Sequence, residues 1–293
     1  SLKLILDITA AKEIFRFGAG LTFVRLFNQL SNQIDKLIIG KGMSAEILGL
    51  YERSMYIAIM PRVYVGNMLD GVLFSSLSRV QSEIEKVQFI FFRLISLMVL
   101  FIGYISLTIW FFSEEFISVI LGEQWTDASK ILQILAFLIF FQIFSRFSDT
   151  LVRAKNALYK SSFIKFTYLV VNILGIIIGL PYGIHIVSWF VVFAGIIHAI
   201  LMVQLSINII QTSWWAFLKT LIPSLKLMMV LGVKNWLALY FLYEHIAGDF
   251  LILIVNFIID IFIVIVILKI NKTFFGKENL MFLVKIIDNI NYL

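Results

Sequence analysis

Residues 15–39 read FRFGAGLTFVRLFNQLSNQIDKLII, and residues 46–75 read EILGLYERSMYIAIMPRVYVGNMLDGVLFS. Each stretch is long enough for a membrane-spanning helix, which needs about 20 predominantly apolar residues. Both carry more polar side chains than the bilayer core normally admits, and such groups usually face a bundle interior or a watery cavity. The sequence therefore predicts two helices that display polar groups and are surrounded by the more apolar helices of the rest of the chain.

The composition indicates an all-α, polytopic integral membrane protein. Of the 293 residues, 61% are hydrophobic and only 14% are charged, whereas soluble domains are about a quarter charged. Long apolar runs recur along the whole chain. They predict eight transmembrane helices, at residues 14–39, 46–75, 88–112, 130–152, 159–180, 184–209, 224–243 and 250–268.

The charges between these spans predict the orientation. If residue 1 lies inside, the inner segments hold sixteen lysines and arginines, and the outer segments hold only Lys41 and Lys130. An excess of basic residues is typical of cytoplasmic loops. Both ends are therefore predicted to be cytoplasmic. The net charge of +6 belongs to this pattern and does not indicate binding to nucleic acid.

A polar stripe runs along the first span. Its members recur every three or four residues, and so they share one helix face: Thr22, Arg25, Gln29, Asn32 and Lys36. The functional interpretation is a helix that lines a hydrophilic path, and the alternative is a polar seam packed against another helix. An arginine near mid-depth favours the path, because a packing seam seldom needs one.

The second span contains Pro61, which is expected to kink it near its middle. Arg62 follows directly and is predicted to face a cavity. The alternative is a local ion pair with Asp35 of the preceding helix. Asp35 and Asp70 are candidates for ion coupling or gating, because carboxylates at membrane depth often serve such roles.

Two further charged sets lie in later spans. Gln142, Arg146, Asp149 and Arg153 share one face near the inner end of the fourth span, which is typical of an intrahelical charge network or of snorkelling. The alternative is a functional one, a gate that faces the cavity and contains Arg146 and Asp149.

Lys234 and Asp260 lie in the last two spans, each about 15 Å deep at 1.5 Å per residue. We expect them to form a structural pair across the hairpin, because unpaired charges at that depth are costly. The alternative is that they form part of a lipid-facing groove. The basic, amphipathic tail at residues 269–293 is predicted to rest on the inner leaflet.

Enzymatic signatures are missing from the sequence. There is no P-loop, HExxH or GxSxG pattern. With no cysteine and three histidines, the chain is poorly supplied with transition-metal ligands. The sequence therefore predicts no catalytic residue, no metal and no cofactor.

Several patterns occur in an order that resembles the second half of bacterial polysaccharide flippases. These are FGAGL at 17–21, NQLSNQIDKLIIG at 28–40, AEILGLY at 45–51, MP at 60–61, FSSLSRVQ at 74–81 and LGEQWTDA at 121–128. The flippases are the Wzx-like exporters of the multidrug/oligosaccharidyl-lipid/polysaccharide superfamily. The resemblance extends over most of residues 14–210.

The resemblance implies a transporter built from two pseudo-symmetric six-helix lobes around a central cavity, sometimes with two additional helices. Residues 1–212 would then be the second lobe, residues 213–268 the additional pair and residues 269–293 a cytoplasmic tail. The first lobe would precede Ser1, which agrees with a sequence that does not begin with methionine. The implied location is the bacterial plasma membrane.

The resemblance also implies the substrate, a polyprenyl-diphosphate-linked oligosaccharide moved to the outer leaflet by alternating access. Arg25 and Arg62 could then bind the diphosphate by charge-assisted hydrogen bonds. Asn28, Gln29 and Asn32 could contact sugar hydroxyls. Expected partners are membrane lipids and polysaccharide polymerase machinery.

Three alternatives remain open at the level of sequence. A cation-coupled multidrug exporter of the same superfamily would favour an acidic, aromatic cavity, whereas several candidates here are basic. A membrane-embedded glycosyltransferase or polymerase would need a large polar outer loop, and the longest predicted here, residues 113–129, is short. A non-transporting scaffold does not explain the charges in the first two spans.

Overall fold

The computed structural model describes residues 8–245 and 248–270. Within these ranges the chain is helical and contains no strand, which confirms the predicted all-α fold. The helices are α1 (Ile8–Gly42), α2 (Ala45–Arg79), α3 (Ile84–Phe111), α4 (Ser113–Leu121), α5 (Ser129–Ala154), α6 (Leu158–Gly179), α7 (Ile184–Ile209), α8 (Trp214–His245) and α9 (Asp249–Ile270). Two short 3-10 segments, Glu123–Ala128 and Leu180–Tyr182, precede α5 and α7.

Six of the described helices are long and apolar enough to cross a membrane: α3, α5, α6, α7, α8 and α9. This confirms a multi-pass membrane protein. Helices α1 and α2 have 35 residues each, which is ample length for a span, but they carry the polar residues noted above and are not among the six. The total of eight spans therefore stays a prediction.

The turn between α1 and α2 is short and closely packed. Ser44 lies in an extended conformation at the start of α2, and its side chain accepts a hydrogen bond from the Ile47 N–H. Gly42 leaves no room for a side chain, since an added Cβ would lie 2.7 Å from Leu180 Cδ1. The C-terminal ends of α1 and α6 and the N-terminal end of α2 therefore meet at one point.

Away from this turn, α1 and α2 diverge. Helix α1 packs mainly against α6, whereas α2 packs mainly against α5, and the two make few contacts with each other. Helix α5 lies at the centre of the bundle and also packs against α3 and α7. Large side chains that are fully buried fill this core, among them Tyr51, Phe91, Leu132, Leu135 and Phe147. The divergence opens the space in which the candidate site lies.

Helices α8 and α9 lie on the side of the bundle formed by α3 and α4. Helix α8 runs along α3, and α9 contacts α4 and α8. Helix α8 is one continuous helix from Trp214 through Pro223, ten residues earlier than the predicted start of the span at 224. The reason is that Phe217 and Leu221 in its first turns are buried in the core of the bundle. The predicted tail, residues 269–293, lies outside the residues whose side chains are described.

Candidate functional site

A cavity of about 440 Å³ lies where α1 and α2 diverge, and side chains of α5, α6 and α7 complete its walls. This volume is in the range of sites for small molecules and head groups. Apolar side chains such as Met55, Ile59 and Leu138 form part of the wall. The polar part of the wall consists of Gln33, Asp35, Lys36, Glu52, Arg62, Gln142 and Tyr168.

Arg62 is the only arginine among the described residues of this wall. Helix α2 runs unbroken through Pro61 and carries the Arg62 side chain into the space between the helices. Its Nε atom is buried and has no hydrogen-bond partner among the described residues. Because a buried donor without a partner is costly, the guanidinium is well suited to an anionic ligand that accepts from it.

The ion pair between Arg62 and Asp35 that we considered as an alternative is not formed. The Asp35 carboxylate instead accepts a hydrogen bond from the Tyr51 hydroxyl at 3.0 Å and another from the Lys36 N–H at 3.0 Å. Beside it, Lys36 Nζ lies 3.1 Å from Glu52 Oε1. These contacts join α1 to α2 at one end of the cavity.

Replacing Tyr51 by phenylalanine should weaken this link between α1 and α2. The change leaves the buried Asp35 carboxylate without its side-chain donor, which typically costs about 1–3 kcal/mol. Thermal unfolding of the purified protein, followed by fluorescence, measures the loss. Tyr182→Phe is the matched control, because that side chain is exposed. Equal melting temperatures for the two variants would contradict a structural role for the Tyr51 hydroxyl.

A second polar cluster ties α5 to α6 around Asp149. Lys165 Nζ of α6 lies 2.6 Å from Asp149 Oδ1, and Ser161 Oγ donates to the same oxygen at 3.2 Å. Arg153, four residues along α5, approaches the other carboxylate oxygen at 3.6 Å. The contact within α5 agrees with an intrahelical network, but the shortest contact comes from the neighbouring helix. Lys165 is almost completely buried, so the cluster fastens two helices together.

The remaining predicted substrate contacts are dispersed or not described. Arg25 and Gln29 have exposed side chains on α1 and are not among the lining residues of the cavity. Asn28, Asn32 and Asp70 are predicted site residues whose side chains lie outside the described set. The structure thus brings Arg62 and Asp35 to one cavity and does not place Arg25 or Gln29 there.

Arg146 reaches across from α5 to α2. Its guanidinium lies against Gly66, where an added Cβ would come 2.3 Å from Arg146 Nε and 2.4 Å from Cζ. The glycine therefore provides the space that the guanidinium occupies. Gln142, one turn earlier on α5, lines the cavity.

A third polar cluster joins α8 and α9 to the bundle. Lys234 Nζ lies 2.6 Å from Asp260 Oδ1 and donates to Asn256 Oδ1 at 2.7 Å. The other oxygen, Asp260 Oδ2, accepts from Tyr104 Oη at 2.8 Å and from Asn256 Nδ2 at 3.1 Å. The two residues that we expected to pair are thus in contact, and Tyr104 of α3 extends the cluster to the bundle.

Sequence comparisons relate this chain to proteins of polysaccharide biosynthesis. Residues 1–130 match the model of a family described as polysaccharide biosynthesis protein. The resemblance to polysaccharide flippases is confirmed. The lipopolysaccharide biosynthesis protein WzxC of Escherichia coli is 27% identical over 120 residues, which are 41% of this chain and 24% of WzxC. The teichuronic acid biosynthesis protein TuaB of Bacillus subtilis is 29% identical over 137 residues, 45% of this chain and 27% of TuaB. The matched stretches thus span about a quarter of these relatives.

A solved structure shares the fold. The lipid II flippase MurJ in an inward closed conformation superposes with a TM-score of 0.64 at 18% identity, covering 92% of this chain and 56% of that chain. The helices described above therefore have the arrangement of a MurJ-like membrane transporter. At this identity the likeness concerns the fold alone.

Some wall residues of this flippase-like fold are not recognisable from the sequence. Tyr168 lies in an apolar stretch of α6, where an aromatic residue normally indicates core packing. Glu52 lies near the predicted outer interface, where a charge normally faces water. Lys165 is four residues from Ser161 on α6, and that pattern gave no sign of Asp149 as the common partner. The sequence offers one usable signal, the recurrence of polar residues at helical spacing. This pattern identifies the polar face of a helix but not the helix against which that face packs.

Proposed function

We propose that this chain belongs to a flippase that moves a polyprenyl-diphosphate-linked oligosaccharide across the bacterial plasma membrane. In this proposal residues 1–212 form one transporter lobe, residues 213–268 form the additional helix pair, and both ends of the chain are cytoplasmic. The observation that carries the proposal is Arg62, whose Nε is buried without a partner in a cavity between the diverging helices α1 and α2. The names of the relatives, which refer to polysaccharide synthesis and lipid flipping, support the same substrate class.

The cavity suits the chemistry of such a head group. A diphosphate and its sugars cannot enter hydrocarbon without replacing the hydrogen bonds they make with water. Arg62 would donate charge-assisted hydrogen bonds to the diphosphate, and the amides of Gln33 and Gln142 would contact sugar hydroxyls. Arg25 and Gln29, which have exposed side chains on α1, would meet the substrate from outside this cavity. Asn28 and Asn32 stay candidate contacts to its sugars.

The two ends of the bundle would serve as gates for alternating access. The contacts of Asp35 with Tyr51 and of Lys36 with Glu52 hold the outer ends of α1 and α2 together. The Asp149 cluster holds the inner ends of α5 and α6. We assign gating to Arg146 and Asp149 and ion coupling to Asp35 and Asp70. Delivery of the repeat unit to a polysaccharide polymerase is the step expected to follow.

The charges of the cavity disfavour a multidrug exporter. Such an exporter needs carboxylates that can pair with a cationic drug. Here Asp35 is engaged by Tyr51, and Glu52 is engaged by Lys36. The guanidinium of Arg62 would also repel a cation. An anionic head group fits this wall better than a cationic drug does.

Proteoliposomes that contain the full-length protein would test the proposal. A fluorescent polyprenyl-diphosphate oligosaccharide in the bilayer should become accessible to a membrane-impermeant quencher faster than in protein-free vesicles. Ethidium accumulation should stay at the protein-free level, and no nucleotide should be released from a nucleotide sugar. Ethidium transport without lipid transfer would identify a drug exporter instead, and sugar transfer would identify a glycosyltransferase.

A further inference from the structure

Tyr168 is a wall residue of the cavity whose hydroxyl the protein itself does not use. It lies on α6 and lines the cavity together with Arg62 of α2. Within the described part of the chain, no group forms a hydrogen bond with the Tyr168 hydroxyl. A phenolic hydroxyl has one donor and can also accept. This hydroxyl is therefore available to a ligand in the cavity.

The ring of Tyr168 is stacked on the imidazole of His198 of α7. The ring centroids are 4.7 Å apart, and the ring planes are inclined by 24°. His198 is not among the lining residues of the cavity, and its Nε2 is buried without a hydrogen-bond partner among the described residues. His198 thus contacts Tyr168 through the face of its ring and is itself kept from the ligand.

Close packing of α7 fixes the position of His198. Three residues before it, an added Cβ on Gly195 would lie 2.3 Å from Leu138 Cδ1 of α5. Towards the turn between α6 and α7, an added Cβ on Gly179 would lie 3.0 Å from the Cα of Val187. The two glycines let α7 lie directly against both neighbouring helices. The imidazole is therefore held by a closely packed helix, and it holds the Tyr168 ring in turn.

The two polar wall groups differ in what they can bind. The Arg62 guanidinium only donates and carries a positive charge, which suits a phosphate group. The Tyr168 hydroxyl is neutral and both donates and accepts, as the hydroxyls of a sugar do. A sugar that is linked to a diphosphate presents these two chemistries side by side. One cavity wall that carries both groups matches such a ligand.

We propose that Tyr168 recognises the sugar attached to the diphosphate and that His198 is a positioning residue that holds Tyr168 in place for this contact. This inference rests on the proposed function and adds to it a residue that distinguishes a glycosylated lipid diphosphate from a bare one. His198 touches no substrate in this scheme. It acts through the stacked ring of Tyr168 and not through a proton or a hydrogen bond.

The affinities of two lipids for the purified full-length protein test the inference: geranylgeranyl diphosphate, and the same lipid with one glucose on its diphosphate. Microscale thermophoresis in detergent measures both. The unaltered protein should bind the glucose-bearing lipid about three- to tenfold more tightly, which is the worth of one neutral hydrogen bond. Tyr168→Phe should abolish this preference and leave the affinity for geranylgeranyl diphosphate unchanged. Equal affinities of the unaltered protein for the two lipids would overturn the inference.

Tyr182→Phe is the matched control, because it removes the same hydroxyl from an exposed side chain. It should keep the full preference for the glucose-bearing lipid. A loss as large as that in Tyr168→Phe would mean that the preference does not come from the cavity, and the inference would be overturned.

Variants of His198 test the positioning role. His198→Phe keeps a flat ring against Tyr168 and removes no hydrogen bond of Nε2, so the preference should be retained. His198→Ala removes the support and should lose the preference. In a Tyr168→Phe background, His198→Ala should cause no further loss. If His198→Phe loses the preference as His198→Ala does, or if His198→Ala keeps it, the stacked ring is not the cause and the inference is overturned.

Binding of the bare diphosphate separates this inference from the proposed function. It also reports folding, since a variant that still binds geranylgeranyl diphosphate has kept its cavity. Arg62→Ala should weaken the binding of both lipids by the same factor. If it does so while Tyr168→Phe keeps the sugar preference, the inference is overturned and the proposed function stands. If Arg62→Ala binds both lipids as tightly as the unaltered protein does, the proposed function is overturned, and the inference with it.

Discussion

Replacing Arg62 by alanine in the full-length protein should reduce the initial rate of lipid translocation by about 100-fold. Hydrogen bonds to charged groups contribute about 1.5–3 kcal/mol each, and a diphosphate would accept more than one from this guanidinium. The proteoliposome assay measures the rate directly. Arg62→Lys should give a translocation rate between that of the unaltered protein and that of Arg62→Ala, because lysine keeps the charge but lacks the planar fork of donors.

The matched control for this prediction is Arg53→Ala on the same helix. The Arg53 guanidinium lies 5.0 Å from the centroid of the Trp125 ring and is not among the lining residues of the cavity. Its removal should leave the translocation rate within about twofold, since exposed cation–π contacts are worth only about 0.5–1 kcal/mol. Unchanged translocation in Arg62→Ala would contradict the cationic-cavity mechanism.

Replacing Asp260 by alanine should destabilise the protein by about 3–5 kcal/mol. Removing one partner of a buried ion pair leaves the other charge uncompensated, and Lys234 is held largely out of contact with water. Tyr104 and Asn256 also lose the acceptor for their hydrogen bonds. Unfolding of the purified protein in detergent, titrated with a denaturing surfactant, measures the loss. Lys226→Ala, an exposed change on the same helix α8, should have little effect.

A charge reversal tests the pairing itself. Lys234→Asp alone places two carboxylates together at depth and should be severely destabilising. Adding Asp260→Lys restores opposite charges and should recover part of the stability. Recovery will be incomplete, because Tyr104 and Asn256 are placed to donate to a carboxylate at position 260. No recovery at all would contradict the ion pair as the source of the stabilisation.

The features that follow from one helix alone are readable from the sequence, such as the lengths and polar faces of α1 and α2. The equal depths of Lys234 and Asp260 in two consecutive spans also indicate that those two residues can meet. Periodicity, however, assigns a residue to a face and says nothing about which helix that face meets. It suggested Arg153 for Asp149, four residues along the same helix, whereas the shortest contact is with Lys165 of α6.

The walls of the cavity depend on tertiary packing in the same way. Arg25 and Arg62 have similar sequence surroundings, yet only Arg62 lines the cavity. The difference arises because α1 packs against α6 while α2 packs against α5. The spacing of polar residues along the sequence does not contain this information. Tyr168 enters the wall for the same reason, since it lies on α6 opposite the diverging pair.

The contact of Tyr104 with Asp260 has a mechanical consequence. Helix α9 has the smallest buried share of the six apolar spans, so few side chains interlock with it. Hydrocarbon offers no water to replace a broken hydrogen bond, and sliding α9 by even one residue would strand several polar groups in lipid. In the proposed transport cycle we therefore expect α3, α8 and α9 to move together as one unit.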